Sequence, residues 1–196
     1  LSSLPGYAIT EVQIDGVLHE YTTIDGVQED VVEILLNLKN VAINLNARDE
    51  AEFVISKKGP AVITAGDIQV DHDALVVNPE HHIATISSKK EINMQLKVQK
   101  GTGYRPVTID AKQDDDNIVG LLKLDASFGP IKKVSYSVES ARVENRTDLD
   151  KLIVDLETDG TIEPESAIKY AGAILQNQLS IFVDLTRVQE QQKAEE

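Results

Sequence analysis

The order of apolar and polar residues along the chain predicts a strand first and a helix soon after it. Val12 and Ile14 alternate with polar neighbours, which is the two-residue period of a strand with one buried face. After a turn at residues 24–26, apolar side chains recur at steps of three and four, which predicts a helix containing Val27, Val31, Ile34, Leu35 and Leu38. The charges at its two ends suit the helix dipole, with Glu29, Asp30 and Glu33 near the start and Lys39 at the end.

Short runs rich in Val and Ile follow between residues 41 and 98, with Gly, Pro, Asp or Asn between them. Such runs predict a β-rich unit with short loops. In the last run one face is polar, whereas the other is apolar and holds Ile92, Met94, Leu96 and Val98. The Gly, Pro and Asp content of residues 100–106 and 112–117 predicts turns or loops in both segments.

Two further strands and a last helix are predicted toward the end of the chain. One strand pattern begins at Ile131 and another spans residues 152–156. Pro164 suits the first turn of a helix whose apolar residues form one stripe of Ile168, Ala171, Leu175, Leu179 and Phe182. Such a stripe packs either on the chain's own sheet or on a second copy, and periodicity alone favours the chain's own sheet.

Composition is that of a folded globular protein. The chain has 196 residues, of which 41% are hydrophobic, and this is adequate for burying a core at that size. It has no cysteine, which excludes structural disulfides and thiolate metal sites and favours the cytosol slightly. No apolar stretch approaches the roughly 20 residues that span a bilayer. The net charge of −14 argues against DNA binding by this chain alone.

The sequence offers only weak evidence for a catalytic, metal or phosphate-binding site. Asp114, Asp115 and Asp116 could suggest a magnesium site, but consecutive carboxylates on one loop are usually a solvated turn. None of the four histidines has the i, i+4 spacing of metal ligands, so surface or hydrogen-bonded histidines are the favoured interpretation. KGTGYRP lacks both phosphate-binding glycine patterns, and no hydrolase elbow motif is present. We therefore expect no metal site, no cofactor and no catalytic residue.

Three stretches carry a resemblance to a known family: LSSLPGYAITEVQIDGVLHEY from Leu1, EYTTIDGVQEDVVEILLNLKNVAINL from Glu20 and ARVENRTDLDKLIVDLETDGTIEPESAI from Ala141. Together they resemble the alpha subunit of bacterial DNA-directed RNA polymerase over nearly all of the chain, to about Phe182. The resemblance implies a cytoplasmic, non-catalytic subunit of a nucleotidyltransferase complex. Such a subunit dimerises and holds the beta and beta-prime catalytic subunits together, and it acts in transcription.

The family's layout implies an α+β fold in which a β-rich insert domain lies inside a split α/β dimerisation domain. By that layout the insert domain would span residues 6–137. The partial dimerisation domain would comprise residues 1–5 and 138–187, and residues 188–196 would be a polar linker. The family's first strand, most of its first helix and its carboxy-terminal DNA-binding domain would lie outside this chain. We expect neither direct DNA binding by this region nor a membrane partner.

The resemblance also assigns interaction residues, and it reverses the preference for the last helix. In the family this helix packs across a two-fold axis, so the stripe from Ile168 to Phe182 becomes a dimer interface, part of which we expect to be uncovered. Leu1 and Glu33 match positions that face the beta subunit, and Lys39 and Ile131 match positions associated with beta-prime. The alternatives are a core position for Leu1, a solvated helix face for Glu33 and Lys39, and an edge-strand side chain for Ile131.

Two other functions stay open from the sequence. The loop of Asp114, Asp115 and Asp116 offers a contact to a basic transcription regulator, since complementary charge speeds association. The alternative to the polymerase subunit is a stand-alone acidic module that binds a basic protein partner. A metal-dependent hydrolase that uses the aspartate run is the least favoured function.

Overall fold

A four-stranded antiparallel sheet forms the centre of the molecule. The computed structural model describes residues 1–107, 119–143 and 146–182. The strands of the central sheet lie in the order Glu50–Lys58 (β3), Glu91–Thr102 (β7), Pro5–Ile14 (β1) and Leu121–Lys123 (β9). The first helix, Val31–Lys39 (α1), packs against β1 and against a smaller sheet.

Shorter antiparallel pairs surround this sheet. They are Ile43–Asn44 (β2) with Leu75–Val76 (β5), Ala61–Thr64 (β4) with His82–Ile86 (β6), and Tyr104–Arg105 (β8) with Ala126–Ser127 (β10). A long two-stranded ribbon follows, made of Ile131–Val143 (β11) and Arg146–Thr158 (β12), and the last helix is Pro164–Leu179 (α2). The predicted β-rich unit, the two late strands and the last helix are confirmed.

The strand patterns place the core as predicted. The alternating apolar residues of β7, from Ile92 to Val98, are all buried, and so are Val12 and Ile14 on the neighbouring β1. β1 carries a bulge, because Ile9 pairs with Val98 while Glu11 already pairs with Lys97. The extra residue, Thr10, is therefore buried beside Ile9 instead of alternating with it.

The predicted start of the first helix was wrong. The helix begins at Val31, and the Asp30 side chain caps it by accepting from the Glu33 amide at 2.8 Å. The preceding residues, which include Val27, run beside β6: Val27 bridges to Ile86, and the Gln28 amide donates to the Thr85 carbonyl at 3.0 Å. Apolar spacing alone could not show this pairing, because β6 lies more than fifty residues further along the chain.

The prediction of a loop over residues 100–106 was also wrong in part. Residues 100–102 belong to β7 and Tyr104–Arg105 form β8, so only Gly103 turns, with a φ of +69°. Gly101 is needed in the strand for a different reason. It pairs with Gly6 of β1, and the ring of the buried Phe128 lies over it, so a Cβ added there would be 2.7 Å from the ring.

The ribbon and the last helix lie toward the end of the described chain. Pro164 occupies the first turn of α2, as predicted, but the helix ends at Leu179, so Phe182 lies in the turn beyond it. The expected domain boundary between residues 137 and 138 falls within β11, which pairs with β12 on both sides of that point. The division into insert and dimerisation domains stays a prediction.

Candidate subunit-docking surfaces

Helix α1 presents one apolar face inward and a mixed face outward. Val31, Ile34 and Leu38 are fully buried at the spacing of one helical face. The opposite side exposes Leu36, of which 57% is accessible, together with Val32, Glu33 and Lys39. Two of the residues expected to dock partner subunits, Glu33 and Lys39, thus lie on an accessible surface that also offers apolar contact area.

Lys39, at the end of α1, contacts the aromatic ring of Tyr104 in β8. Its ammonium lies 5.6 Å from the centroid of the exposed Tyr104 ring, a distance at which a cation is attracted to the ring face. Burial raises the pKa of the Tyr104 hydroxyl, and the Asp125 carboxylate to which it donates raises it further. The Val107 amide, which donates to Asp125 at 2.9 Å, lowers the pKa of that carboxyl, as do Tyr104 and the charge of Lys39.

These contacts connect the two residues expected to meet beta-prime. Tyr104 belongs to β8, which pairs with β10, and Ile131 begins β11 four residues after β10 ends. Ile131 is half-buried, so part of its side chain is accessible. Lys39 and Ile131 therefore lie on segments joined through the β8–β10 pair.

Leu1 is the remaining residue that is expected to dock a partner subunit. It is half-buried, and its carbonyl accepts from the Leu4 amide at 3.2 Å. Its neighbour Ser2 approaches Gly129, since a Cβ added to Gly129 would lie 3.7 Å from the Ser2 carbonyl oxygen. The chain start thus packs beside the segment that leads into Ile131, and Leu1 is neither fully buried nor fully exposed.

A carboxylate ahead of α1 fixes the approach to this helix. The Glu29 side chain is only 11% exposed and accepts from the Thr85 amide at 2.6 Å, from the Thr85 hydroxyl at 3.1 Å and from His82 Nε2 at 2.8 Å. Burial alone would raise the pKa of Glu29, but these hydrogen bonds outweigh it and lower the pKa below its ordinary value. Glu29 directly precedes the helix cap, and its hydrogen bonds anchor this segment to β6 in addition to the predicted dipole role.

Helix α2 carries the predicted apolar stripe, and most of it is accessible. Leu175 is 58% exposed and Leu179 is 48% exposed, while Ile168 and Phe182 are exposed and Ala171 is half-buried. Within the part of α2 that the structure describes, Ala167 is the buried residue. Helix α2 packs against β12. The chain's own sheet therefore does not cover the stripe.

The ribbon adds a second accessible apolar surface, whose exposure the alternating strand pattern alone did not predict. Its cross-strand pairs include Tyr136 with Val154 and Val138 with Leu152, all on one face because each pair lies two residues from the next. Tyr136, Val138 and Leu152 are each more than half exposed. Monomeric proteins seldom leave contiguous apolar surface of this kind open to water.

Several expected features lie outside the structure or stay predictions. Asp114, Asp115 and Asp116 fall outside the described residues, as does the expected linker at 188–196.

Over the described ranges, no group of three or more His, Cys, Asp or Glu side chains could hold a metal ion. Across the same ranges, no helix is both long and apolar enough to cross a membrane.

Comparison with known protein families shows which class of protein this chain belongs to. A family model described as the RNA polymerase Rpb3/RpoA insert domain matches residues 12–129, which is more than half of the chain. The chain therefore belongs to the Rpb3/RpoA insert-domain family of RNA polymerase subunits. Membership implies a role in assembling RNA polymerase, and subunits of this family are generally not catalytic themselves. The match starts within β1 and ends before β11, so it includes α1 but neither the ribbon nor α2.

Proposed function

We propose that this protein is the assembly region of a bacterial RNA polymerase alpha subunit, which dimerises and holds the beta and beta-prime subunits. The observation that carries the proposal is the family match over residues 12–129 combined with an accessible apolar stripe on α2. A subunit that assembles others needs surfaces that its own fold leaves open. Because the described part of the chain leaves the stripe accessible, a second copy of the chain is the favoured partner.

The proposed docking residues fall into two pairs, one for each catalytic subunit. Glu33 on α1, together with Leu1, would contact the beta subunit, and Lys39 with Ile131 would contact beta-prime. The accessibility of Glu33 and Lys39 and the half-exposed state of Leu1 and Ile131 support these roles. Residues 6–137 would form the insert domain, with 1–5 and 138–187 in the dimerisation domain. Asp114, Asp115 and Asp116 would contact a basic regulator, and neutralising them would weaken an activator's effect.

The dimer is tested by sedimentation of the chain and of a Leu175→Glu, Leu179→Glu variant. Charges buried in an interface without partners are strongly unfavourable, so this variant should sediment as a monomer at concentrations where the wild type dimerises. The matched control is Ala173→Glu, Asn177→Glu, which adds two charges at the same four-residue spacing but at exposed positions on the other side of the helix. If the control loses the dimer equally, or the stripe variant keeps it, α2 is not the interface.

Docking is tested by capture of the purified beta and beta-prime subunits of a bacterial RNA polymerase. Lys39→Ala should weaken capture of beta-prime, and Glu33→Ala should weaken capture of beta. Lys89→Ala, at an exposed site away from α1, is the control. A wild-type chain that captures neither subunit, yet binds basic proteins, would instead favour the stand-alone acidic binding module, which the net charge of −14 allows.

A further inference from the structure

Two adjacent histidines, His82 at the start of β6 and His81 just before it, hydrogen-bond to α1 and to the segment that leads into it. At the start, His82 Nε2 lies 2.8 Å from the Glu29 carboxylate, one residue before the helix cap. In the last turn, His81 Nε2 lies 2.9 Å from the Asn37 carbonyl oxygen. Asn37 in turn donates from its side chain to the Ile83 carbonyl at 2.9 Å. The segment that leads into the helix and the last turn of the helix are therefore both hydrogen-bonded to residues 81–83.

The hydrogen-bond acceptors beside His81 and His82 define which ring nitrogen carries a proton. A carboxylate and a carbonyl oxygen only accept hydrogen bonds, so Nε2 must carry the proton in His81 and in His82. A neutral ring with its proton on Nε2 and a protonated ring both satisfy this condition. The contacts therefore do not depend on the rings being charged.

Apolar packing alone does not fix the orientation of so short a helix. α1 has nine residues, fewer than an isolated helix needs to persist in water. Burial of Val31, Ile34 and Leu38 holds it to the core, but the hydrophobic effect is not directional. Hydrogen bonds have narrow preferences of distance and angle, so one bond just before the helix and another in its last turn restrict sliding and rotation of the helix.

We propose that His81 and His82 are positioning residues that hold α1 so that its outward face is presented to the beta subunit. The inference rests on the proposed docking role of α1. It gives a role to the adjacent histidines, which the sequence suggested were merely surface or hydrogen-bonded residues. Neither histidine belongs to the outward face that Leu36 and Glu33 define, because His82 begins β6, His81 directly precedes it, and β6 packs against α1.

The test compares His81→Ala, His82→Ala and the double Ala variant with the corresponding Gln variants, whose amides can still donate. Hydrogen exchange is measured at the amides of α1 and at Thr85, and affinity for the purified beta subunit is measured in parallel. Loss of one hydrogen bond should speed α1 exchange about two- to tenfold, and the double Ala variant should lose about three- to tenfold in affinity. The Gln variants should recover most of both. His72→Ala, at an exposed turn, is the control.

Exchange at β7 amides and urea unfolding show whether a variant is still folded globally. Unchanged α1 exchange in the Ala variants would overturn the inference, and so would faster exchange without loss of affinity. Failure of the Gln variants to recover affinity while α1 exchange is restored would also overturn it. If the wild-type chain does not bind the beta subunit at all, the proposed docking function fails, whereas the exchange data still decide whether the histidines hold α1.

Discussion

Asp67 illustrates how one carboxylate can stabilise a turn and a strand together. Its oxygens lie 2.6 and 2.7 Å from the Lys57 ammonium, and one of them accepts from the Thr64 amide at 2.8 Å. Burial alone would raise the pKa of Asp67, but these partners outweigh burial and lower it. Because the side chain is only 25% exposed, its bonds are shielded from solvent more than those of a surface pair.

Asp67→Asn should destabilise the protein in a pH-dependent way. A carboxyl whose folded pKa is lowered stabilises the fold above its unfolded pKa, and this contribution disappears as the pH falls through the folded pKa. The variant should lose about 1 kcal/mol at pH 7, and this deficit should shrink as the pH falls below the unfolded pKa of about 4 toward the lowered folded pKa. Urea unfolding at pH 7 and pH 3 measures the difference, with the exposed Asp25→Asn as the control. If the stability difference between variant and wild type is as large at pH 3 as at pH 7, the loss comes from packing and not from the charge of Asp67.

The contact between Gly101 and Phe128 gives a second prediction for a single residue. Gly101→Ala should place its Cβ against the buried ring. Such overpacking typically lowers the free energy of unfolding by about 1–3 kcal/mol. Gly172→Ala, in α2 with open space around its Cβ position, should instead leave stability unchanged or raise it by up to about 1 kcal/mol. Thermal unfolding of the two variants compares them directly. Equal effects would mean that the ring moves aside at little cost.

Whole elements were predictable where a local pattern decides them. The buried face of β7 follows from its two-residue period, and the first turn of α2 follows from Pro164. The start of α1 was not predictable, because residues 26–28 pair with a distant strand. For the same reason, the contacts of His81, His82 and Tyr104 could not be predicted from the sequence. The exposed stripe of α2 was predicted as a pattern, but its exposure depends on what the rest of the chain covers.

The ribbon formed by β11 and β12 should contribute little to monomer stability and more to association. Val138→Thr with Leu152→Thr replaces one cross-strand pair by residues that favour strands, so unfolding should change by less than about 1 kcal/mol. Leu96→Ala in the buried face of β7 should cost about 2–5 kcal/mol. Self-association, measured by sedimentation, should fall in the ribbon variant. A large loss of monomer stability there would mean that the ribbon is covered within the chain.

At the scale of the whole molecule, charge and apolar surface act in opposite directions. Two copies that each carry a net charge of −14 repel one another, whereas burial of the α2 stripe and the ribbon face favours their association. Salt screens the repulsion between exposed charges over distances beyond about 8 Å at physiological ionic strength. It does not weaken apolar burial, so the balance between the two terms depends on ionic strength.

Dimerisation should therefore strengthen as salt is added, which is the reverse of the dependence expected for an interface held by ion pairs. Raising sodium chloride from about 20 to about 300 mM shortens the Debye length several-fold, so the dissociation constant from sedimentation equilibrium should fall. The Leu175→Glu, Leu179→Glu variant should stay monomeric at both concentrations, because screening cannot restore its apolar stripe. If added salt weakens the wild-type dimer instead, its interface is polar and lies elsewhere than on α2.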